Sequence, residues 1–216
     1  MAEQLAFDLP KRSALGREDF YVTPANALAL SIVESWHDWP SPVTVLAGET
    51  GSGKSHLAHV FAAASGGRVL HELTQRPDEI AVGPVALDDA DQLTDEDALF
   101  HLYNLMAATG QPLLLTANSP PSRWNVNLPD LKSRLQSVQV AQIDPPDDQL
   151  LGAVLAKHFV DRQLSPPNNV IPYLVRHMDR SLAEAGRLVE AIDRAALKDG
   201  RNITRSFVAE VLDRMP

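Results

Sequence analysis

The chain has 216 residues, of which 44% are hydrophobic and 22% charged, and these values are typical of a folded globular protein. It contains no cysteine, which excludes disulfides, thiolate metal sites and a cysteine nucleophile. The net charge of -9 opposes non-specific attraction to phosphates, so we expect no direct sequence-specific DNA binding.

Residues 1–16 predict a flexible tail outside the core, because a proline and a glycine interrupt any periodic pattern. Leu5, Phe7 and Leu9 alternate with small or acidic residues, so an extended tail presents three apolar side chains on one face. Such a segment either packs on its own domain as an edge strand or binds another protein. No stretch has the pattern of a signal peptide or the ~20 apolar residues that span a bilayer, so we expect a cytoplasmic protein without a membrane partner.

The first periodic segment predicts a helix over residues 25–36, with apolar residues at three- and four-residue spacing. Thr23 is the predicted N-cap, and Pro24 is the predicted first helical residue. Two prolines then bracket the turn into an apolar strand at residues 43–47.

Residues 48–55 fit the pattern G-x-x-x-x-G-K-[ST] at every fixed position, between the strand and a helical segment. In this context the backbone N–H groups surround phosphates, Lys54 adds a positive charge, and the Ser55 hydroxyl ligates Mg²⁺. A glycine-rich turn without a ligand is the alternative. The predicted set that binds ADP or ATP is Gly48, Glu49, Thr50, Gly51, Ser52, Gly53, Lys54, Ser55 and His56.

Apolar residues followed by Asp88 and Asp89 have the Walker B pattern at the end of a predicted third strand. We expect Asp88 to hold Mg²⁺ and Asp89 to orient the attacking water. Solvated acids in a turn are the alternative interpretation.

Thr94 resembles the cap of a helix that continues to Gly110, and a buried strand follows at residues 113–117. Its end lies next to the Walker B strand in the predicted sheet. Thr116 or Asn118 would therefore sense the γ-phosphate or the attacking water, and the sequence leaves the choice between them open. Either residue could instead be a loop cap with no catalytic role.

A short helix at residues 129–136 and a last strand at residues 138–143 complete the alternation of strands and helices. This alternation predicts an α/β domain at residues 17–146, with a parallel five-stranded sheet flanked by helices. Beyond a proline- and aspartate-rich break the pattern is helical only, which predicts a small all-α lid at residues 147–216, with Thr204 as the N-cap of the last helix.

The ordered motifs at residues 48–55, 88–89, 116–118 and 131–134, followed by a helical lid, resemble an AAA+ ATPase of the replication-initiator branch. The segments Gly-Lys-Ser-His-Leu and Leu-Lys-Ser-Arg are similar to those of DnaA. The resemblance implies a P-loop AAA+ domain that binds nucleotide and acts in DNA replication.

DnaA would continue into a DNA-reading domain, whereas this sequence has no such segment after the lid and has a clamp-like peptide at its start. That combination resembles the Hda family of DnaA-related AAA+ regulators. The resemblance implies docking on the DNA polymerase III sliding clamp, the beta subunit, with Gln4 binding through its amide. The implied clamp-binding residues are Gln4, Leu5, Phe7, Asp8 and Leu9.

The resemblance also gives Arg134 a role, because AAA+ assemblies insert an arginine into the neighbouring subunit's nucleotide site. It implies that Arg134 acts in trans on ATP held by DnaA, so that the protein inhibits replication initiation. A helix-end salt bridge is the alternative reading of this residue.

One departure from the family pattern concerns the lid. Ala183 stands at the position of the lid arginine called sensor 2, and Arg180 or Arg187 would have to replace it. Discrimination between ATP and ADP should then be weak, so we expect at most a slow ATPase. Asp130 stands where DnaA has a further arginine, which argues against DnaA-like self-assembly and leaves a homo-oligomer of another kind as the alternative.

A DnaC-like helicase loader or remodelling ATPase is the alternative function. It predicts appreciable intrinsic turnover, abolished by Lys54→Ala, together with binding to a helicase.

Overall fold

The computed structural model describes residues 15–74, 77–80 and 82–215. The predicted clamp-binding residues at positions 4–9 lie outside the described residues, and the structure provides no test of them.

Five parallel strands form one sheet in the order β2-β3-β4-β1-β5, which confirms the predicted architecture. The strands are β1 Val43–Ala47, β2 Arg68–Leu70, β3 Val85–Leu87, β4 Leu113–Ala117 and β5 Gln139–Gln142. Parallel strands are buried on both faces, and every residue of β1, β3 and β4 is buried accordingly. Because β4 lies between β1 and β3, its carboxyl end lies between the loops that follow those two strands.

Helices cover both faces of the sheet and form the lid. They are α1 Ala27–Glu34, α2 Lys54–Ser65, α3 Pro77–Ile80, α4 Glu96–Thr109, α5 Pro129–Gln136, α6 Asp148–Asp161, α7 Val170–His177, α8 Leu182–Asp199 and α9 Arg205–Leu212. Helices α1 and α2 pack on one face of the sheet, and α4 and α5 on the other. Side chains of β1 alternate between these two clusters, with Val45 in one and Leu46 in the other.

The lid has a hydrophobic core of its own, formed by buried residues of α6, α7, α8 and α9. Side-chain caps support three of its helices, and at the start of α8 the Ser181 hydroxyl accepts from the Glu184 N–H. Asp147 accepts a hydrogen bond from the backbone N–H of Leu150 at the start of α6. Thr204 accepts one from Phe207 at the start of α9, which confirms the predicted cap.

Two other predicted caps are wrong. Among the residues that the structure describes, the buried hydroxyl of Thr23 has no hydrogen-bond partner. The Asn26 side chain accepts from the Thr23 N–H, and α1 begins at Ala27. At α4 the cap is Asp95, whose carboxylate accepts from Ala98, one residue after the predicted Thr94. At α4 the Asp95 side chain makes the capping bond that Thr94 was expected to make, whereas Asn26 makes no side-chain capping bond to α1.

No helix in the described part of the chain combines the length and the apolar character that crossing a membrane requires.

Candidate functional site

The loop between β1 and α2 requires glycine at three positions. Gly51 and Gly53 have φ of +77° and +103°, in the left-handed region that side chains disfavour. Gly48 lies so close to the chain that an added Cβ would be 2.7 Å from Ser52 Oγ and 3.1 Å from Ile143 Cβ. The loop is therefore tightly wound and directs its backbone toward the start of α2, as a phosphate-binding loop does.

Lys54 is the first residue of α2 and is only 5% exposed. Its Nζ donates hydrogen bonds to the carbonyl oxygens of Gly48 at 2.8 Å and Glu49 at 3.0 Å, and to Asn118 Oδ1 at 3.1 Å. Burial lowers the pKa of Lys54, and three nearby aspartates oppose that shift. All three ammonium protons have acceptors, so the structure positions the charge beneath the loop.

Asp88, at the end of β3, is 4% exposed and belongs to a buried hydrogen-bonded group with Thr116. The Thr116 hydroxyl donates to Asp88 Oδ1 at 2.5 Å and accepts from the backbone N–H of Asp89 at 2.9 Å. Asp89 itself is exposed, with φ of 51°. Partial desolvation of its carboxyl group and, less strongly, the charge of Asp88 raise the pKa of Asp89. Thr116 therefore fixes the turn that separates the two carboxylates.

The sequence left the choice between Thr116 and Asn118 open, and in the structure Asn118 is the one that contacts the phosphate loop. Its Oδ1 accepts from Lys54 Nζ and from Thr50 Oγ1, each at 3.1 Å. Its backbone N–H donates to Asp91 Oδ2 at 3.0 Å, a contact that the sequence did not predict. Thr116, by contrast, is fully buried and is occupied by the two aspartates.

The donor set fits Mg²⁺ bound together with a phosphate ligand. Ser55 is exposed on the first turn of α2, and Asp88 is a buried carboxylate with His71 Nδ1 at 3.6 Å from its second oxygen. Ser52 Oγ is buried within the loop without a partner among the described residues. Those residues also include no group of three His, Asp or Glu side chains that would hold a metal alone. One hydroxyl and one carboxylate suit Mg²⁺, which takes its other ligands from water and phosphate.

A cavity of about 770 Å³ lies between the loop, the start of α2 and the lid, within the size range of small-molecule sites. Its lining residues are Asp19, Gly51, Gly53, Lys54, Ser55, His56, Val154, Lys157, His158, Asp161, Arg162, Leu182 and Ala183. His56 packs edge-on against Phe20 with 5.1 Å between ring centres, and its Nε2 lies 2.8 Å from the Gly16 carbonyl oxygen. Burial lowers the pKa of His56. The cavity thus brings the predicted phosphate loop together with the segment before α1 and with the lid, both of which lie outside the loop motif.

The lid contacts the phosphate loop directly at the start of α8. The Leu182 N–H donates to the Gly51 carbonyl oxygen at 2.9 Å, and a Cβ on Gly51 would be 3.1 Å from Ala183 Cβ. Neither arginine considered as a replacement for sensor 2 lines the cavity. Arg180 pairs with Asp148 at 2.6 Å, and Arg187 pairs with Glu184 at 2.6 Å.

Arg134 lies outside this cavity, exposed on the last turn of α5. Its guanidinium lies over the rings of Phe100 and Tyr103 on α4, at 5.6 and 5.7 Å from their centres. Burial raises the pKa of Tyr103, and the positive charge of Arg134 opposes the shift. The structure therefore separates the nucleotide-site candidates from Arg134, which faces solvent beside two aromatic rings.

The sequence also missed the contact that holds the start of α5. The Glu96 carboxylate, at the first turn of α4, accepts hydrogen bonds from the backbone N–H groups of Asn127 at 3.0 Å and Leu128 at 2.7 Å. These hydrogen bonds lower the pKa of Glu96. The partners are 31 and 32 residues apart, and local sequence contains no signal for such a pair.

Comparison with solved structures shows which class of protein has this fold. Domain III of the Thermotoga maritima replication initiation protein DnaA superposes with a TM-score of 0.79 and 18% identity, over 95% of this chain and 98% of that domain. DnaA from Aquifex aeolicus, bound to AMPPCP, gives a TM-score of 0.65 and 20% identity, over 91% and 67%. The Thermotoga maritima RuvB branch migration motor gives 0.65 and 16%, over 86% and 65%. The chain therefore has the AAA+ fold, in the form also found in DnaA.

The lid resembles that of a particular family. Residues 147–212 match the family model described as the lid domain of Hda. The lid is therefore of the Hda type, and it follows a domain with the AAA+ fold that is also found in DnaA.

Proposed function

We propose that this protein is an Hda-like negative regulator of DNA replication initiation, which stimulates ATP hydrolysis by DnaA. The observation that carries the proposal is the position of Arg134. This arginine is exposed on the outer face of α5 and does not line the protein's own cavity, so its charge is available to the nucleotide site of another subunit. Contact with Phe100 and Tyr103 restricts the guanidinium before a partner binds.

The cavity beside Lys54 binds ADP or ATP with Mg²⁺ in this proposal. Buried Lys54 and the left-handed glycines support it, and the related Aquifex aeolicus DnaA was solved with AMPPCP. Asn118 is the proposed sensor of the γ-phosphate, because it touches both Lys54 and Thr50. Asp89 is the proposed residue that orients water. Because Ala183 stands where a lid arginine is expected, intrinsic turnover is slow.

The sliding clamp is the proposed docking partner, through Gln4, Leu5, Phe7, Asp8 and Leu9. Support for this part is the sequence pattern alone. Retention of the wild-type protein by clamp-coated resin, with loss of retention in Gln4→Ala, is the expected result. A wild-type protein that the clamp does not retain would contradict it.

ATP hydrolysis by DnaA tests the main proposal, with this protein added to clamp-loaded DNA. Arg134→Ala should reduce the stimulated rate by ~10³, the lower value for loss of an arginine finger in trans. The matched control is Lys132→Ala, which removes an exposed positive charge two residues earlier on the same helix. Stimulation by Arg134→Ala at the wild-type rate, with Lys132→Ala also unchanged, would disprove the assignment.

A further inference from the structure

The cavity contains lid cations that no sequence motif marks. Lys157 of α6 and Arg162, the residue directly after α6, line the same cavity as the phosphate loop. Arg162 Nη1 donates to the carbonyl oxygen of His158 on the last turn of α6, at 3.4 Å. Lys157 instead reaches across to the segment before α1, where its Nζ lies 2.5 Å from Asp19 Oδ1.

The Lys157–Asp19 pair is only partly buried, with the two side chains 41% and 26% exposed. An ion pair in such a setting contributes little net stability, because water solvates and screens both charges. Its position is more informative than its strength. It places an ammonium group in a cavity that Lys54 and Ser55 also line, and its partner is a carboxylate that a phosphate could replace.

The two arginines nearest Ala183 are not part of this cavity. Arg180 and Arg187 do not line it, and they pair with Asp148 and Glu184, which do not line it either. Lid closure in this protein is made by uncharged contact, since the Leu182 N–H donates to the Gly51 carbonyl. A lid that closes in this way still needs a positive group if it is to contact an anionic ligand.

We propose that Lys157 is the lid residue that binds the phosphate groups of the nucleotide, and that it exchanges Asp19 for a phosphate oxygen when the nucleotide enters. Lys157 thereby replaces the missing charge at Ala183 from a different helix. The inference rests on the proposed nucleotide binding. It makes opposite predictions for the two members of the ion pair, because Asp19 competes with the ligand for the same ammonium group.

The test measures the Kd of a fluorescent ADP analogue with Mg²⁺ for the full-length protein and its variants. Lys157→Met should weaken binding about tenfold, the effect of losing one hydrogen bond to a charged group, and Lys157→Arg should restore most of the affinity. Asp19→Asn should bind at least as tightly as wild type. Arg187→Met is the matched control, because it removes a lid cation that does not line the cavity, and it should leave Kd unchanged.

Thermal unfolding without nucleotide shows whether each variant is folded. Equal weakening by Lys157→Met and Asp19→Asn would show that the ion pair only closes the lid, and would overturn the proposal. An unchanged Kd in Lys157→Met would overturn it as well, while leaving the proposed nucleotide binding intact. A wild-type protein that does not bind the ADP analogue would overturn both.

Discussion

Lys54 and Arg134 are the two cations that matter most for the proposed function, and their surroundings differ. Lys54 is 5% exposed and donates three hydrogen bonds, to two backbone carbonyls and one side chain. Arg134 is exposed, and its described contacts are the faces of two aromatic rings. Buried, fully bonded charges suit a ligand that is always held in the same place, whereas an exposed, lightly restrained charge suits a partner that arrives and leaves.

Substitution of each cation in turn separates the two functions, and the largest effect is expected at Lys54. Lys54→Ala should weaken ADP binding a hundredfold or more, because it removes the buried ammonium group that the proposal places beside the phosphates. Each hydrogen bond from a charged group to the phosphates is worth ~1.5–3 kcal/mol in a desolvated site. Arg134→Ala should leave the Kd for ADP within about twofold of wild type, since Arg134 lies outside the cavity. Equilibrium titration with a fluorescent nucleotide measures both.

A Kd for Arg134→Ala that rises as much as that for Lys54→Ala would contradict the separation. In that case α5 would be coupled to the nucleotide site within one chain. Far-ultraviolet circular dichroism of both variants distinguishes this result from misfolding.

The buried group at Thr116 gives the next largest effect, on stability. Thr116→Val should lower the free energy of unfolding by about 2 kcal/mol, because Asp88 Oδ1 loses a donor and the Asp89 N–H loses an acceptor. Thr44→Val is a close control on the adjacent strand β1: Thr44 is equally buried, but its hydroxyl has no hydrogen-bond partner in the described part of the chain. That variant should be neutral or slightly stabilising. Urea unfolding of the two proteins tests the contrast, and equal losses would show that the hydrogen bonds of Thr116 contribute nothing specific.

Most of the fold could be predicted from sequence because its signals are local. The strands at residues 43–47 and 113–117 and the helix at residues 129–136 have the predicted bounds. Each is a continuous apolar or periodic run bounded by turn-forming residues. The cap predictions at Thr23 and Thr94 were wrong, because an Asx residue one or three positions later, Asp95 or Asn26, directly precedes the first helical residue.

Contacts across the site could not be predicted in the same way. The sequence left Thr116 and Asn118 as equal candidates, and only the three-dimensional arrangement shows that one is buried between the aspartates while the other touches Lys54. Lys157 and Asp19 are 138 residues apart. No periodicity or short motif encodes a pair at that distance.

Contact between lid and loop gives a smaller effect that can be isolated with two glycines. Gly51→Ala should cost about 1 kcal/mol for a left-handed φ and a further amount for a Cβ placed 2.3 Å from Ser181 Oγ. Gly200 has a similar φ of +60°, and apart from its own chain neighbours no described residue lies within 4 Å of the added Cβ, so Gly200→Ala should have the first cost without the second. Hydrogen exchange of the Leu182 amide should accelerate in Gly51→Ala only. Equal exchange in both variants would show that the lid does not depend on this contact.

Glu96 gives the smallest effect and links stability to pH on the Arg134 side of the molecule. Hydrogen bonds from the Asn127 and Leu128 N–H groups hold the pKa of Glu96 below its usual 4.5. Its stabilising contribution is therefore complete above about pH 4.5 and is lost as pH falls through the lowered folded-state pKa. The difference in Tm between wild type and Glu96→Gln should be present at pH 7 and should close in acid.

Asp97→Asn removes an exposed charge from the same helical turn, and controls for the interaction of that charge with the helix N-terminus. A Tm difference for Glu96→Gln that stays constant from pH 7 to pH 3 would mean that the charge of Glu96 does not hold the start of α5. Over that range the Glu96 carboxylate of the wild type becomes protonated, whereas a glutamine side chain does not change.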